Sequence, residues 1–425
     1  MSPPQDEVSP ELRRGRVQLA VTVIIGHTVK HIFNSALPLL LAMLKADLGL
    51  SATQYGIVAG VGRGTSGATT MVAGYLGERF ANRSGAMLFI SLALMGVSYF
   101  LLGVAPSFWW VLGAMLLVGI GPSLYHPPAI ASLSRKFPDR RGFAISLHGT
   151  GGSIGEMLGP VVVGLLTTET FKIGSLITIT YLVAFEWHEV LRISVLPALF
   201  SAALVYLMMR NIPAAATDTG SLREYFSDLN ELLKDRAMLG LIIVTALRSM
   251  GQSAIMYFLP LYLLSTIQEG GLAKDALTVG FFLAGAQVTG IFAQPVMGWL
   301  SDKYGRKIVL VPAMTLLGIS YIALNYSADG YQLILTILAM GAFVYSLHTI
   351  FIAAAMDVAK GKAQSTVVSL IYGASFLGTV SPIFAGLLVD EFGIRSAFIY
   401  SGVVAIISTL ILMNVKLPST KTGLN

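Results

Sequence analysis

The sequence predicts an all-α integral membrane protein, with twelve transmembrane helices arranged in two pseudo-symmetric six-helix bundles. Three observations predict this fold: an apolar composition, a series of helix-length apolar runs, and a repeat of one half of the chain in the other. Hydrophobic residues make up 55% of the 425 residues and charged residues only 12%, against about 25% charged residues in soluble domains. The composition therefore excludes a soluble globular domain.

The apolar runs set the number of predicted spans. A hydrocarbon core about 30 Å thick requires about 20 apolar residues per helix. The first run follows a charged tail directly and is longer than the apolar part of a cleavable signal peptide. No cysteine is present, so disulfide and thiol chemistry are excluded. Runs of sufficient length occur near residues 17–44, 53–77, 84–104, 108–134, 142–167, 191–210, 237–265, 276–300, 307–326, 331–356, 365–389 and 396–415.

The positions of lysine and arginine predict the orientation of these spans. If both termini are cytoplasmic, 20 of the 28 basic residues lie in cytoplasmic segments, 5 at outer ends and 3 within spans. This asymmetry follows the positive-inside rule. We therefore expect a multi-pass protein of the bacterial inner membrane with both termini in the cytoplasm. The net charge of +6 reflects this topology and indicates no nucleic-acid partner.

The two halves of the chain repeat each other on either side of a polar stretch at 211–236. LPLLL at 37–41 recurs as LPLYL at 259–263, an offset of 222 residues. Parallel repeats around a central site are typical of transporters. The same offset relates His126 to His348, Pro160 to Pro382 and Gly164 to Gly386, and an offset of 224 relates Gly56 to Gly280 and Gly74 to Gly298. The expected domains are a cytoplasmic tail (1–16), a first bundle (17–210), a cytoplasmic linker with an amphipathic helix (211–236), a second bundle (237–415) and a cytoplasmic C-terminal tail (416–425).

An insert at residues 168–186 has no counterpart in the second half. It includes about fourteen apolar residues, which are too few to cross a membrane alone. We expect an outward extension of span 5 or a segment on the outer surface rather than a thirteenth crossing.

Two loops resemble a known family signature. The loop after span 8 reads GWLSDKYGRKIVL, in which glycines permit a tight turn and an acid can bind an arginine or a helix N-terminus. It is similar to the G-x-L-x-D-R/K-x-G-R/K-R/K signature of the major facilitator superfamily, and GYLGERFANRSG after span 2 resembles a degraded copy. The likeness covers the chain apart from the insert. It implies a transporter that works as a monomer, with a conformational latch at Gly74, Glu78, Arg79, Gly298, Asp302, Lys303 and Arg306.

Span 5 carries a second resemblance within that superfamily. Its glycines and proline, Gly155-x-x-x-Gly159-Pro160-x-x-x-Gly164, are similar to the motif that marks proton-driven antiporters. The alternative is a plain helix-packing face, because small residues at four-residue intervals let helices approach closely.

A narrower resemblance is carried by His126-Pro127, by Arg141-Gly142 and by a histidine near the position of His27. These features are similar to the fosmidomycin-resistance branch, whose members export a small phosphonate antibiotic. The second half matches that branch only at the general superfamily level, so the resemblance implies efflux without fixing the substrate.

Span 1 presents four polar residues on one helical face at mid-depth in the membrane. A charge at this depth costs about 2.5–3.5 kcal/mol, so we expect the face to border an aqueous cavity or a partner. For Lys30, the structural alternative is that its side chain snorkels to the membrane surface. For Arg63 in span 2, it is pairing with backbone carbonyl groups. The candidate substrate-binding residues, expected to surround one basic cavity for a small anion, are His27, Lys30, His31, Asn34, Arg63, Arg248 and Gln252.

Proton coupling is assigned to Glu156, an acid within span 5, because buried carboxyl groups at functional sites can exchange protons near neutral pH. The alternative is that Glu156 only neutralises Arg63 or Lys30. His126 and His348, which the repeat relates, are the candidate assisting groups, since histidine titrates near physiological pH.

The predicted function is proton-coupled antiport that exports a small, anionic compound by alternating access. We expect no cofactor, no metal and no enzymatic activity; the partners are the substrate, protons and the lipid bilayer. The main alternative is a proton-coupled importer of a small organic anion, which would sensitise cells to a toxic analogue where an exporter protects them. An intramembrane hydrolase lacks a motif such as H-E-x-x-H, and a sensor would carry a soluble signalling domain.

Overall fold

The computed structural model describes residues 13–79, 83–137, 139–173, 177–180, 184–212, 229–359 and 364–418. The side chains of residues 71, 74–79, 141–142, 171–177, 364–366 and 368–369 lie outside this description. Most of the predicted linker helix also falls outside it, and residues 229–232 of the linker are helical.

The first part of the chain forms eight helices and two short strands in the described ranges. A single hairpin separates the sixth and seventh helices. The elements are α1 (Arg16–Asp47), α2 (Ala52–Arg79), α3 (Ser84–Gly103), α4 (Phe108–Ser123), α5 (His126–Lys136), α6 (Arg141–Thr167), β1 (Thr170–Ile173), β2 (Ile177–Thr180), α7 (Trp187–Ile193) and α8 (Val195–Met209).

The second part forms eight further α-helices in the described ranges. A 3-10 turn at Leu377–Val380 separates two of them. The helices are α9 (Arg236–Leu264), α10 (Ala276–Tyr304), α11 (Arg306–Tyr326), α12 (Tyr331–Val344), α13 (Leu347–Val358), α14 (Gln364–Phe376), α15 (Ser381–Phe392) and α16 (Ser396–Asn414).

Nine helical segments within the described ranges, four of which join two consecutive helices, are long and apolar enough to cross a membrane, so the chain is a multi-pass membrane protein. The other three predicted spans are also helical, as α1, α2 and α6, but are not among these nine. Each contains one of the predicted intramembrane charges, Lys30, Arg63 or Glu156. The helical prediction is confirmed, and the count of twelve crossings stays a prediction. The nine spans are Ser84–Gly103, Phe108–Lys136, Trp187–Met209, Arg236–Leu264, Ala276–Tyr304, Arg306–Tyr326, Tyr331–Val358, Leu370–Phe392 and Ser396–Asn414.

The repeat is visible in the helix breaks. Helix α4 ends at Ser123 and α5 begins at His126, while α12 ends at Val344 and α13 begins at Leu347. The two histidines that the sequence pairs at an offset of 222 residues, His126 and His348, thus both lie in the first turn of a helix that follows a break.

The insert corrects the all-α prediction. Helix α6 ends at Thr167, and β1 pairs with β2 as an antiparallel hairpin in the register Thr170 to Thr180 and Ile173 to Ile177. The strand sequence ITIT is rich in β-branched residues, which favour strands over helices. An extension of span 5 as helix was therefore wrong, and the described part of the insert contains no thirteenth helix.

The chain divides into two compact units that do not coincide with the sequence halves. The first unit comprises residues 1–37, 65–159 and 185–219, and the second comprises 38–64, 160–184 and 220–425. Helices α1, α2 and α6 each contribute to both units.

Candidate functional site

Glycines of α6 permit a close approach of α6 to α1 in the first unit. A Cβ atom on Gly155 would lie 2.7 Å from the Cβ of His31, and one on Gly152 would lie 2.6 Å from Cε1 of His27. Hydroxyl groups of α1 also donate hydrogen bonds to α6, as from Ser35 to the carbonyl oxygen of Gly155 at 3.2 Å. The glycine repeat of predicted span 5 therefore packs against α1 and places Glu156 beside His31.

Four imidazole rings form a cluster in the first unit, contributed by α1, α5 and α6. The ring centroid of His27 lies 4.4 Å from that of His31, 4.9 Å from that of His126 and 3.6 Å from that of His148. Nδ1 of His27 lies 2.7 Å from the carbonyl oxygen of His148, so this nitrogen carries the proton. Within the described residues, Nε2 of His27 and both ring nitrogens of His148 are buried without a hydrogen-bond partner.

Lys30 lies at the centre of this cluster and is only 4% exposed. Its Nζ lies 2.7 Å from Nε2 of His126 and 3.2 Å from Nε2 of His31. On the other side of the His31 ring, Nδ1 lies 3.0 Å from Oε1 of Glu156, although the ring N–H is not well aligned with that oxygen. One histidine thus separates the lysine ammonium from the nearest carboxylate that it could pair with, Glu156.

Three of these histidines could supply nitrogens to a metal ion, since ligand atoms of His27, His126 and His148 lie within 4.8 Å of one another. Two features oppose a cation here. The rings of His27 and His148 are stacked at 14°, so one ion cannot lie in both ring planes. The Lys30 ammonium also contacts His126 directly. The cluster is better suited to exchanging protons.

In the second unit, two arginines lie along one side of α9. Arg248 is 3% exposed, and its Nη1 donates to Oε1 of Gln252 at 3.0 Å. Nη1 of Arg63, from α2, lies 3.7 Å from Sδ of Met256. Because Arg248, Gln252 and Met256 follow at four-residue intervals, they share one helical face. Among the described residues, no carboxylate lies within 4.0 Å of either guanidinium.

Buried polar atoms without partners are of different kinds in the two units. In the described part of the first unit they are all imidazole nitrogens of the cluster around Lys30. Among the described residues of the second unit, all of them are N–H or O–H groups, including Nε of both arginines and the hydroxyl groups of Thr245, Ser253 and Tyr321. A hydroxyl group can donate or accept, but a guanidinium N–H can only donate, so a buried Nε–H without an acceptor is costly and suits an anionic ligand.

The second unit also contains a seam between helix ends that the positive-inside rule assigns to the outer face. Oδ1 and Oδ2 of Asp390 in α15 accept hydrogen bonds from the backbone N–H groups of Ala52 and Thr53 at 2.7 and 2.8 Å. Oγ1 of Thr168 accepts from the backbone N–H of Leu277 at 3.1 Å. Asp390 and Thr168 are 222 residues apart, so the two contacts are related by the repeat.

Glycines permit the backbones to meet along this seam. A Cβ atom on Gly280 would lie 2.6 Å from the carbonyl oxygen of Pro160. The repeat-related pair is Gly56, where a Cβ atom would collide with the carbonyl oxygen of Pro382. The predicted sequence repeat therefore corresponds to repeated contacts between helices.

In the second copy of the loop signature, Arg306 contacts residues of α10 and α13. Nε of Arg306 donates to Oδ2 of Asp357 at 2.9 Å, Nη1 donates to Oγ of Ser301 at 2.8 Å, and Nη1 also contacts Asp302. Nζ of Lys303 lies 4.9 Å from the ring centroid of Trp299. Gly298 lies in α10. For the first copy, the backbone is helical to Arg79, while side-chain positions at Gly74, Glu78 and Arg79 lie outside the description.

The predicted substrate residues divide between the two compact units. His27, Lys30 and His31 lie in the first unit with Glu156 and His126, while Arg63, Arg248 and Gln252 lie in the second. Oε1 of Glu156 lies 3.0 Å from Nδ1 of His31, and the alternative that Glu156 only neutralises Arg63 or Lys30 stays a prediction.

Two further predicted residues are not members of the imidazole cluster. His348 lies in the second unit, with its ring centroid 4.9 Å from that of Tyr372. Asn34 makes no hydrogen bond with the described residues. Sequence reasoning missed His148, Tyr321 and Asp390. Of these three, only Asp390 had a signal in the sequence, because it follows Thr168 by the 222-residue offset of the repeat, although the two residues differ in type.

Comparisons with known proteins agree on the family. Multidrug resistance protein MdtG of Yersinia enterocolitica is 26% identical over 340 residues, which cover 78% of this chain and 76% of the relative. The uncharacterised MFS-type transporter YfnC of Bacillus subtilis is 22% identical over 397 residues, covering 91% and 90% of the two chains.

Solved structures show the same fold. The nucleoside transporter NupG has a TM-score of 0.74 at 12% identity, covering 95% of this chain and 99% of its own. A bacterial homologue of the human lysosomal transporter Spinster has a TM-score of 0.75 at 17% identity, covering 96% and 97%. A sequence profile described as Major Facilitator Superfamily matches residues 23–292 and 271–424. Family and fold are those of transporters rather than enzymes, and the chain belongs to the major facilitator superfamily.

Proposed function

We propose that this chain exports a small anion across the bacterial inner membrane in exchange for protons. The observation that supports this proposal is the segregation of buried polar groups. Groups that gain and lose protons gather in the first unit around Lys30 and Glu156, while the second unit contains unpartnered donors that suit an anion, including Nε of Arg63 and of Arg248.

The anion site of the proposal lies along α9. Arg248 and Arg63 carry permanent positive charges, and each retains a buried Nε–H without an acceptor in the described chain. Guanidinium groups donate in a planar fork that matches carboxylate or phosphonate oxygens. The hydroxyl of Tyr321 is a further buried donor. A cation would meet only positive charge here, so we assign an anionic substrate.

The proton site of the proposal is Glu156 with His31 and Lys30. A carboxylate that contacts one histidine and lies one ring away from an ammonium can take up a proton when water reaches it. The resemblance of span 5 to the antiporter motif supports the same assignment. The glycines of that motif hold α6 against α1 in the first unit, so they position the proton site as well as pack the helices.

Efflux is the proposed direction because curated relatives bear the name multidrug resistance protein. The likeness to the fosmidomycin-resistance branch makes a phosphonate the first compound to try. In an export cycle, the outer seam at Asp390 and Thr168 must open to release the substrate outside and close again when the site faces the cytoplasm.

Import is the second candidate, and the position of Lys30 favours it. If the anion were to bind at Lys30, a proton on Glu156 would leave the lysine charge less compensated and would strengthen anion binding. Proton and anion would then travel together, and an inward proton gradient would drive uptake.

A growth experiment separates the two directions. Cells that overexpress the protein are challenged with fosmidomycin, with toxic carboxylate analogues and with cationic dyes. Resistance to an anion that is lost in Glu156→Gln and Arg248→Gln supports the proposal, whereas sensitisation indicates import. Glu231→Gln and Arg236→Gln are the matched controls, because both residues are exposed in the linker region. Resistance to cations alone would contradict the anionic substrate.

A further inference from the structure

Proton carriage by Glu156 alone does not account for the buried ammonium group of Lys30. Its ammonium group is 4% exposed, and among the described residues no carboxylate lies within ion-pair distance of Nζ. Both contacts of Nζ are to imidazole nitrogens, at 2.7 and 3.2 Å. A buried ammonium without a direct counterion is costly, and such a group readily loses its proton.

The hydrogen-bond chemistry fixes the tautomer of His31. An ammonium group has only donors, so Nε2 of His31 must accept from Lys30. A neutral His31 then carries its proton on Nδ1, the atom that lies 3.0 Å from Oε1 of Glu156. The ring therefore presents a base to the lysine and an acid to the glutamate, and a small ring rotation would align the second contact.

We propose that Lys30 and Glu156 share one proton through His31, so that Lys30 is a titrating group of the transport cycle. The Nζ–H bond breaks as a proton passes to Nε2 of His31, and the Nδ1–H bond breaks as its proton passes to the Glu156 carboxylate. An ammonium and a carboxylate become an amine and a carboxylic acid, and His31 ends as the other tautomer. No proton is gained or lost overall.

The surroundings of Lys30 favour this exchange. The titratable groups that face it are His31 and His27 on α1, His126 on α5, and His148 and Glu156 on α6. Neutral imidazoles accept hydrogen bonds without carrying a negative charge, so Glu156 is the one anion among these groups that stabilises the charged lysine. When the site is closed to water, the neutral pair avoids the cost of two buried charges. The inference deepens the proposed proton coupling, since a neutral pair could cross between states without leaving charge in the membrane.

Arginine provides the sharpest test, because it keeps the positive charge but cannot be deprotonated in a protein. Infrared titration of purified protein detects the carboxylic acid band of Glu156, which Glu156→Gln identifies by removing it. If the proton is shared, the carboxylic acid band of the parent should reach half intensity at a pH at least about one unit higher than that of Lys30→Arg. This shift corresponds to a tenfold difference in proton affinity. Equal midpoints would overturn the inference. Lys274→Arg, in an exposed outer loop, is the matched control.

His31→Gln independently tests proton transfer through His31, and it tests the inference if Lys30→Arg does not fold. Glutamine can accept from Lys30 and donate to Glu156, but it cannot exchange one proton for another. After a pH jump, the acid band should form about 100-fold more slowly than in the parent, the scale of a lost proton-transfer group. An unchanged rate would contradict the role of His31. His188→Gln is the control. Because no substrate is used, failure of this inference is distinct from failure of the proposed export.

Discussion

Gly155 and His31 approach so closely that a Cβ atom on the glycine would lie 2.7 Å from the Cβ of the histidine. This distance is shorter than real Cβ contacts, so an alanine at 155 must push α1 and α6 apart. The same approach brings Glu156 to within 3.0 Å of His31. Helix packing and the candidate proton site therefore depend on one glycine.

Gly155→Ala should lower the stability of the purified protein by about 1–3 kcal/mol, the usual cost of overpacking. It should also weaken proton-driven transport, because His31 and Glu156 separate. Thermal unfolding in detergent provides the measurement. Gly149→Ala on the same helix is the control, since no atom lies within 4 Å of a Cβ atom placed there. Equal stability of the two variants would show that the approach is not tight.

Asp390→Ala should loosen the outer seam. The carboxylate caps the N-terminus of α2 through Ala52 and Thr53, and loss of such a cap costs about 0.5–2 kcal/mol. In this cysteine-free chain, a reporter at Ala59→Cys, which is buried within α2, should react about fivefold faster with an impermeant maleimide from outside. Glu391→Ala is the exposed control. Equal labelling rates in the two variants would show that the Asp390 cap does not hold the outer seam closed.

Arg306→Lys should destabilise the second signature loop. The guanidinium reaches Ser301, Asp302 and Asp357 at once, which a single ammonium on a flexible stem cannot reproduce. We expect a loss of about 1–2 kcal/mol in thermal unfolding, because charge-assisted hydrogen bonds are lost. Arg236→Lys, in an exposed position, should have no such effect. A fully stable Arg306→Lys protein would contradict a structural role for the fork.

The linker should be cytoplasmic. A cysteine at Thr217, which lies outside the described residues, should react only with reagents that reach the cytoplasm, because the basic residues of the linker favour that side. A cysteine at Lys274 should react from outside. Outside labelling at Thr217 would reverse the predicted topology.

The sequence predicted the features that repeat. Gly56 and Gly280 were paired by spacing alone, and both meet a proline carbonyl of the other repeat in the seam. The polar face of span 1 and the acid of span 5 were also predicted. Their contact follows from the glycines that let α1 and α6 meet.

Other features depended on three-dimensional packing. His148 was not assigned to the site, because only the packing of α6 against α1 stacks its ring on that of His27. The hairpin was missed because its few β-branched residues lie in an apolar insert that suits either helix or strand. His27, Lys30 and His31 belong to one compact unit, and Arg63, Arg248 and Gln252 belong to the other. Sequence spacing alone does not show this division.

The measurement that tests the central claim most directly is proton-driven accumulation in everted membrane vesicles with an acidic lumen. Vesicles that contain the parent protein should concentrate fosmidomycin, or the anion identified by growth, and should release lumenal protons as they do so. Glu156→Gln should abolish accumulation against the pH gradient, while Glu231→Gln should resemble the parent. If Glu156→Gln vesicles still concentrate the anion as the gradient rises, Glu156 is not the proton carrier and the account is contradicted.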